Sequence, residues 1–327
     1  MPSPATMNRR TALGAIGGAS LAPLAVSGVS RPAHAAAPAL GAARPTHYRF
    51  QLGSFEVTTL LDGAIQLEGP HPIFGQDQTP EAVQQLAEAN FLPATQMEIG
   101  FTPVVVNTGS ELVLFDSGNP PERRPGAGNL VATLQAAGLD PAQIDVVVIT
   151  HMHPDHIGGL MADGAPAYPN ARYVTAETEY DFWSKDERLS GPTEAAAKLV
   201  QANVVPLADR IAFIKDEAEV VPGIRGLAAF GHTPGHMVYH IESDGRRLLL
   251  WGDTANHYVM SVQRPDWHVR FDMDKEAAAA TRKRIFDLAA ADRIPVTGYH
   301  MPFPAVGYID RTGGEYRWVQ ASYQLNL

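Results

Sequence analysis

Between Thr150 and Leu160 the chain reads THMHPDHIGGL, directly after the apolar run Asp145-Val146-Val147-Val148-Ile149. A short β-branched run of this kind reads as a buried strand. The side chains that follow therefore emerge where a strand ends, and Gly158 and Gly159 let the backbone pass closely beneath them. His151, His153, Asp155 and His156 fall within six residues. Three imidazoles and a carboxylate packed this tightly have little structural use without a metal ion. Imidazole nitrogen suits zinc and its neighbours, and a carboxylate adds charge and a harder oxygen ligand. Tetrahedral zinc takes three or four ligands, so the rest must come from elsewhere.

Downstream lie Gly231-His232-Thr233-Pro234-Gly235-His236, then Leu248-Leu249-Leu250-Trp251-Gly252-Asp253, then Thr297-Gly298-Tyr299-His300. Each places a His or Asp at the end of an apolar or β-prone segment. Seven ligands sort into two sites: His151, His153 and His232 for one metal, Asp155, His156 and His300 for the other, with Asp253 bridging. A lone His is usually a surface or satisfied core residue, so His232 and His300 gain their weight from the first cluster.

The matching stretches HMHPDHIGGLM, GHTPGH, WGDT and PFPAVGYIDRTGGEYRWV resemble the metallo-β-lactamase superfamily, and within it methyl parathion hydrolase and its lactonase relatives. That resemblance implies an α/β (α+β) fold, a four-layer αβ/βα sandwich with a dinuclear metal site on its rim. It also implies a homodimer. Many metallo-β-lactamases proper place a Cys in the second metal site, whereas this chain has no cysteine and carries Asp253 in the corresponding region. β-Lactam hydrolysis and a glyoxalase-II-like thioesterase are minor readings.

Asn8-Arg9-Arg10-Thr11 precedes a small-residue apolar stretch from Ala12 to Val26, and Ala33-His34-Ala35 offers a cleavage site. Residues 1–35 read as a secretory signal, with twin-arginine export favoured over the ordinary route. Residues 36–327 then form a single hydrolase domain, expected in the periplasm or outside the cell. No later segment approaches about 18 uninterrupted apolar residues, so no membrane partner is expected. The signal takes three arginines and no acid with it, moving the net charge from −10 to −13. Phosphate backbones are held by Lys and Arg, so nucleic acid is excluded and a small-molecule substrate expected.

Strands are read at Phe55–Leu61, Phe101–Asn107, Leu112–Asp116, Ala171–Thr175, Ile211–Ile214, Ile224–Ala229, Met237–Ile241 and Arg247–Trp251. Helices are read at Pro80–Asn90, Asn129–Ala137, Glu177–Trp183, Thr193–Ala202 with Thr193 as N-cap, and Asp274–Ala291. Glu68 to Gly75 reads as a loop. The basic middle of the last helix, Arg282-Lys283-Arg284, reads as a solvated face.

Two cations about 3.5–4 Å apart acidify a bridging water, which would attack an ester, lactone or phosphotriester without a side-chain nucleophile. There is no G-x-S-x-G elbow and no thiol. The metals expected are two divalent ions per chain, zinc foremost, with Co, Mn, Fe or Ni acceptable to the same donors. Asp155 is a candidate to take up the proton as the intermediate breaks down. Asp116 and His236 are candidates to orient ligands; the alternatives are a turn-capping Asp and a His capping its own loop. By the resemblance, Leu67, Trp183 and Phe271 line the substrate pocket, although an aromatic on a short helix is usually core. Where methyl parathion hydrolase carries aromatic or aliphatic residues, this chain has Asn119 to Pro125 and Thr254-Ala255-Asn256-His257-Tyr258. A more polar pocket follows, in which His257 and Tyr258 would hydrogen-bond a carbonyl. N-acyl homoserine lactone-type lactones and esters are the expected substrates, with organophosphates such as methyl paraoxon secondary; a dedicated phosphotriesterase is the alternative. A flavodiiron-like redox role would need an appended flavin domain, and a non-catalytic metal-binding protein would not need all seven ligands.

Overall fold

The structure, a computed structural model, describes residue 39 and residues 41–322. The proposed signal, residues 1–35, lies outside the described residues. From Arg44 onward the described residues form one compact unit.

Two seven-stranded sheets carry the fold. In the first, the strand Val146–Val148 lies between Leu112–Phe115 and Arg172–Ala176 and pairs in parallel with both. A strand with neighbours on both sides and a layer on both faces must be apolar throughout, which is why it reads as an uninterrupted valine run. Its alternation decides what each valine touches. Val146 and Val148 face the core between the sheets, together with Leu248 and Leu250 of the second sheet. Val147 points the other way, into the layer holding Leu134 of α2 (Leu130–Ala136) and Val200 of α5 (Glu194–Asn203). On the far side of the second sheet, Leu249 and Val296 pack against Ile285 and Phe286 of α7 (Lys275–Ala291). The layers thus run helix, sheet, sheet, helix, as the four-layer expectation requires.

Helix α1 (Pro80–Ala89) starts as its sequence indicates, with the Thr79 hydroxyl accepting from Ala82 N and proline in the first turn. Three local readings are corrected. Thr193 makes no cap bond to α5; its hydroxyl donates to Arg188 O at 3.0 Å. Phe101 belongs to a separate hairpin, Gly63–Glu68 with Gln96–Phe101, so the strand that pairs with Leu112–Phe115 begins at Val104. Arg282 is not on a solvated face: it is 1% exposed, because α7 turns that position towards the loop before it.

Candidate metal centre

Four strand ends meet on one rim. His151 follows Val146–Val148, Asp116 follows Leu112–Phe115, Asp253 follows Arg246–Leu250, and His300 follows Val296–Thr297. His232 sits in the loop after Ile224–Ala228. Pro154 starts a single helical turn, α3 (Pro154–Ile157), which presents Asp155 and His156 just after His153. Beneath that turn, a side chain at Gly158 would meet Pro120 N at 2.2 Å and one at Gly159 would meet Ser117 O at 2.1 Å. The glycines serve close approach of two backbones, as the sequence suggests.

All seven expected ligands come together, in the two expected groups. Potential donor atoms of His151, His153, His232 and Asp253 lie within 4.8 Å of one another, and so do those of Asp155, His156 and His300. In the first group His232 Nε2 stands 3.2 Å from His151 Nε2 and 2.9 Å from His153 Nδ1. Asp253 Oδ2 lies 3.3 Å from His232 Nε2, 3.8 Å from His151 Nε2 and 3.1 Å from His300 Nε2, while its Oδ1 lies 3.3 Å from His156 Nε2. Asp155 Oδ2 is 3.6 Å from His156 Nε2 and 3.5 Å from His300 Nε2. One carboxylate, Asp253, therefore touches both groups.

The outward nitrogens show which way each imidazole is turned. His156 Nδ1 donates to Asp116 Oδ2 (2.8 Å), His232 Nδ1 to Asp272 Oδ1 (2.9 Å), and His300 Nδ1 to the Gly100 carbonyl (2.8 Å). The Thr150 hydroxyl donates to Asp116 Oδ2 and lies 3.1 Å from His151 Nδ1, from which it accepts. With the proton held outside, every one of these Nε2 lone pairs faces inward. Lone pairs crowded to about 3 Å repel unless a cation sits among them. His156 Nε2 and Asp253 Oδ1 are buried and have no hydrogen-bond partner among the described residues. The residues fit a metal, and nitrogen–nitrogen separations near 3 Å are close to the roughly 3.3 Å edge of a tetrahedron with zinc–nitrogen bonds of about 2.0–2.1 Å.

Asp116 and His236 sit where orienting residues belong. Asp116, at φ 63° and 1% exposed, holds Thr150 N and the Thr150 hydroxyl as well as His156. His236 is not a ligand: Nδ1 donates to Ala229 O, and Nε2 accepts from the backbone N–H of Asp253 at 3.0 Å. Burial, with the neighbouring His232, lowers its pKa to about 3, so it remains neutral and its lone pair stays on Asp253.

Three residues of the centre escaped the sequence reading. Glu179, fully buried, spreads four hydrogen bonds over the ligand loops: Oε1 accepts from Met152 N and Trp183 Nε1, Oε2 from the Thr233 hydroxyl and Gly235 N, all at 2.8–2.9 Å. Burial raises its pKa even against these bonds. Asp272 orients His232 and is itself held by Arg282, whose Nη1 donates to Asp272 Oδ2 at 2.7 Å. A carboxylate behind a metal-binding histidine typically changes metal affinity 10–100-fold. Asp272→Asn is therefore expected to release the first-group metal to a competing chelator at a concentration 10- to 100-fold lower, read by a colorimetric metal titration; an unchanged release curve would remove Asp272 from the centre.

Beside His300 opens a cavity of about 930 Å³. Leu67, Met97, Met260 and Phe303 give it apolar walls, and Asn256 and His257 bring it up to the ligand cluster. Of the expected pocket residues, Leu67 and His257 line it. Trp183 does not: it is 2% exposed, donates to Glu179 and stands edge-on to His153 with ring centroids 6.2 Å apart. Phe271 does not either; it packs against the cluster around Ile73 and Phe74. Both are used to hold loops.

His257 is 7% exposed and burial lowers its pKa to about 4. A histidine whose folded pKa is depressed adds stability that is complete above the unfolded value near 6.5 and is lost as pH falls towards 4, roughly 3 kcal/mol in all. Substituting His257 with Asn should flatten the fall in unfolding free energy between pH 6.5 and 4.5 by about that much in urea titrations. Parallel curves for variant and wild type would contradict this.

Residues 102–297 match the family described as the metallo-beta-lactamase superfamily, and the chain belongs to it. It is similar to an N-acyl homoserine lactonase from Bacillus sp, 29% identical over 164 residues that make up 50% of this chain and 58% of the relative. The chain thus spans less than two thirds of that lactonase. It is also similar to the probable metallo-hydrolase YflN of Bacillus subtilis (strain 168), 26% identical over 57% of this chain and 76% of that one. Among solved structures, AidC, a dizinc quorum-quenching lactonase in complex with a product, shares a TM-score of 0.77 at 25% identity, covering 85% of this chain and 98% of AidC. AbOPH, a hydrolase of the beta lactamase superfamily, shares a TM-score of 0.79 at 25% identity over 86% of this chain and 99% of AbOPH.

Proposed function

We propose that the protein is a hydrolase of lactones and esters, of the N-acyl homoserine lactone type, working with two divalent cations, zinc foremost, and accepting organophosphate triesters as secondary substrates. The observation that carries this is the meeting of two ligand groups at Asp253 beside a cavity of about 930 Å³. Similarity to N-acyl homoserine lactonases and to a dizinc lactonase supports the substrate class and the metal. His151, His153 and His232 would hold one cation, Asp155, His156 and His300 the other, and Asp253 both. Bound there, such ions supply Lewis acidity and a water acidified towards neutral pH, so no serine or cysteine nucleophile is needed.

The chain's own groups do the rest. Asp116, Asp272 and the Gly100 carbonyl keep the imidazole protons of His156, His232 and His300 outside the centre, so their inward nitrogens stay free to bind. The Asp155 side chain is 16% exposed against 3% for Asp253; as the more accessible carboxylate it takes up the proton while the ring opens. The apolar walls desolvate the acyl part of the substrate. His257 at the cluster edge favours a carbonyl ester over a phosphotriester with an aromatic leaving group. Export by the Arg9-Arg10 signal, a single mature domain from residue 36 and a homodimer belong to the same proposal; among the described residues no helix is long and apolar enough to cross a membrane.

Metal content measured alongside kinetics on an N-acyl homoserine lactone, an aryl ester and methyl paraoxon tests it. The expected result is about two metals per chain and the highest kcat/KM on the lactone. A fully loaded protein that cleaves none of the three would end the proposal. Dialysis against a strong chelator should cut activity at least about 100-fold and destabilise the fold by about 4 kcal/mol for each metal present at 1,000 times its Kd. Zinc should restore both; chelated protein with unchanged Tm and rate would show that the cluster holds nothing of consequence.

A further inference from the structure

After Asp253 the chain runs Thr254-Ala255-Asn256-His257-Tyr258 into the short helix α6 (Met260–Gln263). The His257 ring is gripped on several sides. Its Nδ1 accepts from Val259 N at 3.0 Å and Met260 N at 3.2 Å. Tyr258 stacks on it at 5.0 Å with 9° between planes, and Phe74 meets it edge-on at 5.4 Å. Backbone amides only donate, so Nδ1 carries no proton and the neutral ring must carry it on Nε2. Among the described residues that N–H has no acceptor, and Nε2 is not one of the sealed atoms left without a partner, so it opens to solvent. His257 also borders the cavity that opens beside His300. Its neighbour Asn256 spends one of its two amide protons on Asp253 Oδ2 at 2.9 Å and, 1% exposed, stays beside that carboxylate.

We propose that the Nε2–H of His257 donates a hydrogen bond to an uncharged carbonyl oxygen of the bound substrate, and so makes His257 a residue that selects carbonyl substrates. This rests on the lactone reading above and adds the residue that recognises the acyl lactone. The donor is of an unusual kind. With Nδ1 fixed as acceptor and the ring buried, it has one tautomer and one direction, so it offers the same N–H across neutral and alkaline pH. Two oxygens present this chemistry, the ring ester carbonyl and the amide carbonyl of the acyl chain.

Two isosteres separate donor from scaffold. In His257→Asn the side-chain oxygen can take the place of Nδ1 and still accept from Val259 and Met260, but nothing donates at Nε2. In His257→Gln the amide reaches the Nε2 position and donates there, while the backbone acceptor is lost. Both are assayed on an N-acyl homoserine lactone and on a γ-alkyl lactone that has no amide. The expected result is a loss of about 10- to 30-fold in kcat/KM for the Asn variant with Tm nearly unchanged, and activity within about threefold of wild type for the Gln variant despite a lower Tm. Loss on both lactones assigns the bond to the ring ester; loss on the acyl lactone alone assigns it to the amide. An active Asn variant with an impaired Gln variant, the pattern of a residue that only caps α6, overturns the proposal, as do equal losses in both. If wild type cleaves neither lactone, the lactone reading falls separately. Calorimetric binding of the ring-opened N-acyl homoserine to wild type and the Asn variant then reads the donor alone, and equal affinities overturn it.

Discussion

Asp253→Ala is expected to lower kcat on lactones by at least about 10³-fold and to leave fewer than two metals per chain. Among the described residues its carboxylate is the one that reaches donor nitrogens of both groups: one oxygen lies 3.1–3.8 Å from His300, His232 and His151, and the other lies 3.3 Å from His156. Without it the two sets of imidazoles lose the negative charge they share, and each set is short of a ligand for tetrahedral coordination. The loop itself should stay in place, because His236 holds the backbone N–H of residue 253 and the Thr254 hydroxyl donates to Trp251 O. Metal analysis by mass spectrometry, with circular dichroism as the check on folding, reads the outcome. A folded variant that keeps two metals and more than a tenth of the wild-type rate would show that Asp253 is no shared ligand.

Among the substitutions, Glu179→Ala should have the largest effect on stability, a loss of about 4 kcal/mol or more. The substitution strands four donors at once, and each buried unsatisfied group costs about 1–3 kcal/mol, with part of that recovered if water enters. Two of the four flank metal-binding positions: Met152 lies between His151 and His153, and Thr233 follows His232. Stability and metal binding should therefore fall together. In a chain of this size 4 kcal/mol corresponds to a drop in Tm of roughly 10 °C. Glu179→Gln keeps the shape but turns an amide towards Gly235 N or Met152 N, and should fall between the two. A Tm within 2 °C of wild type for the alanine variant would sink the assignment.

The ligand set was legible because its residue types are rare, clustered and placed at strand ends. His151, His153, Asp155 and His156 announce themselves by spacing, and His232, Asp253 and His300 each terminate a β-prone segment. The central valine strand was equally plain, since burial on both faces leaves no polar position to confuse the pattern. The pair Gly63–Glu68 and Gln96–Phe101 was missed although both strands alternate, with Gln66, Glu68, Gln96 and Glu98 exposed between apolar residues, because the partners are separated by α1.

The sequence alone determined which atoms can bind metal and roughly where strands deliver them, because both follow from residue type and local periodicity. Tertiary structure decided what stands behind those atoms. Glu179, Asp272 and Arg282 are ordinary charged residues in the chain, of a kind found mostly on surfaces. Only packing reveals that Arg282 is 1% exposed and paired to Asp272, or that Trp183 anchors Glu179 rather than lining the cavity. Burial is a property of the assembled layers, and no spacing rule along one chain encodes which distant carboxylate will end up behind a given imidazole.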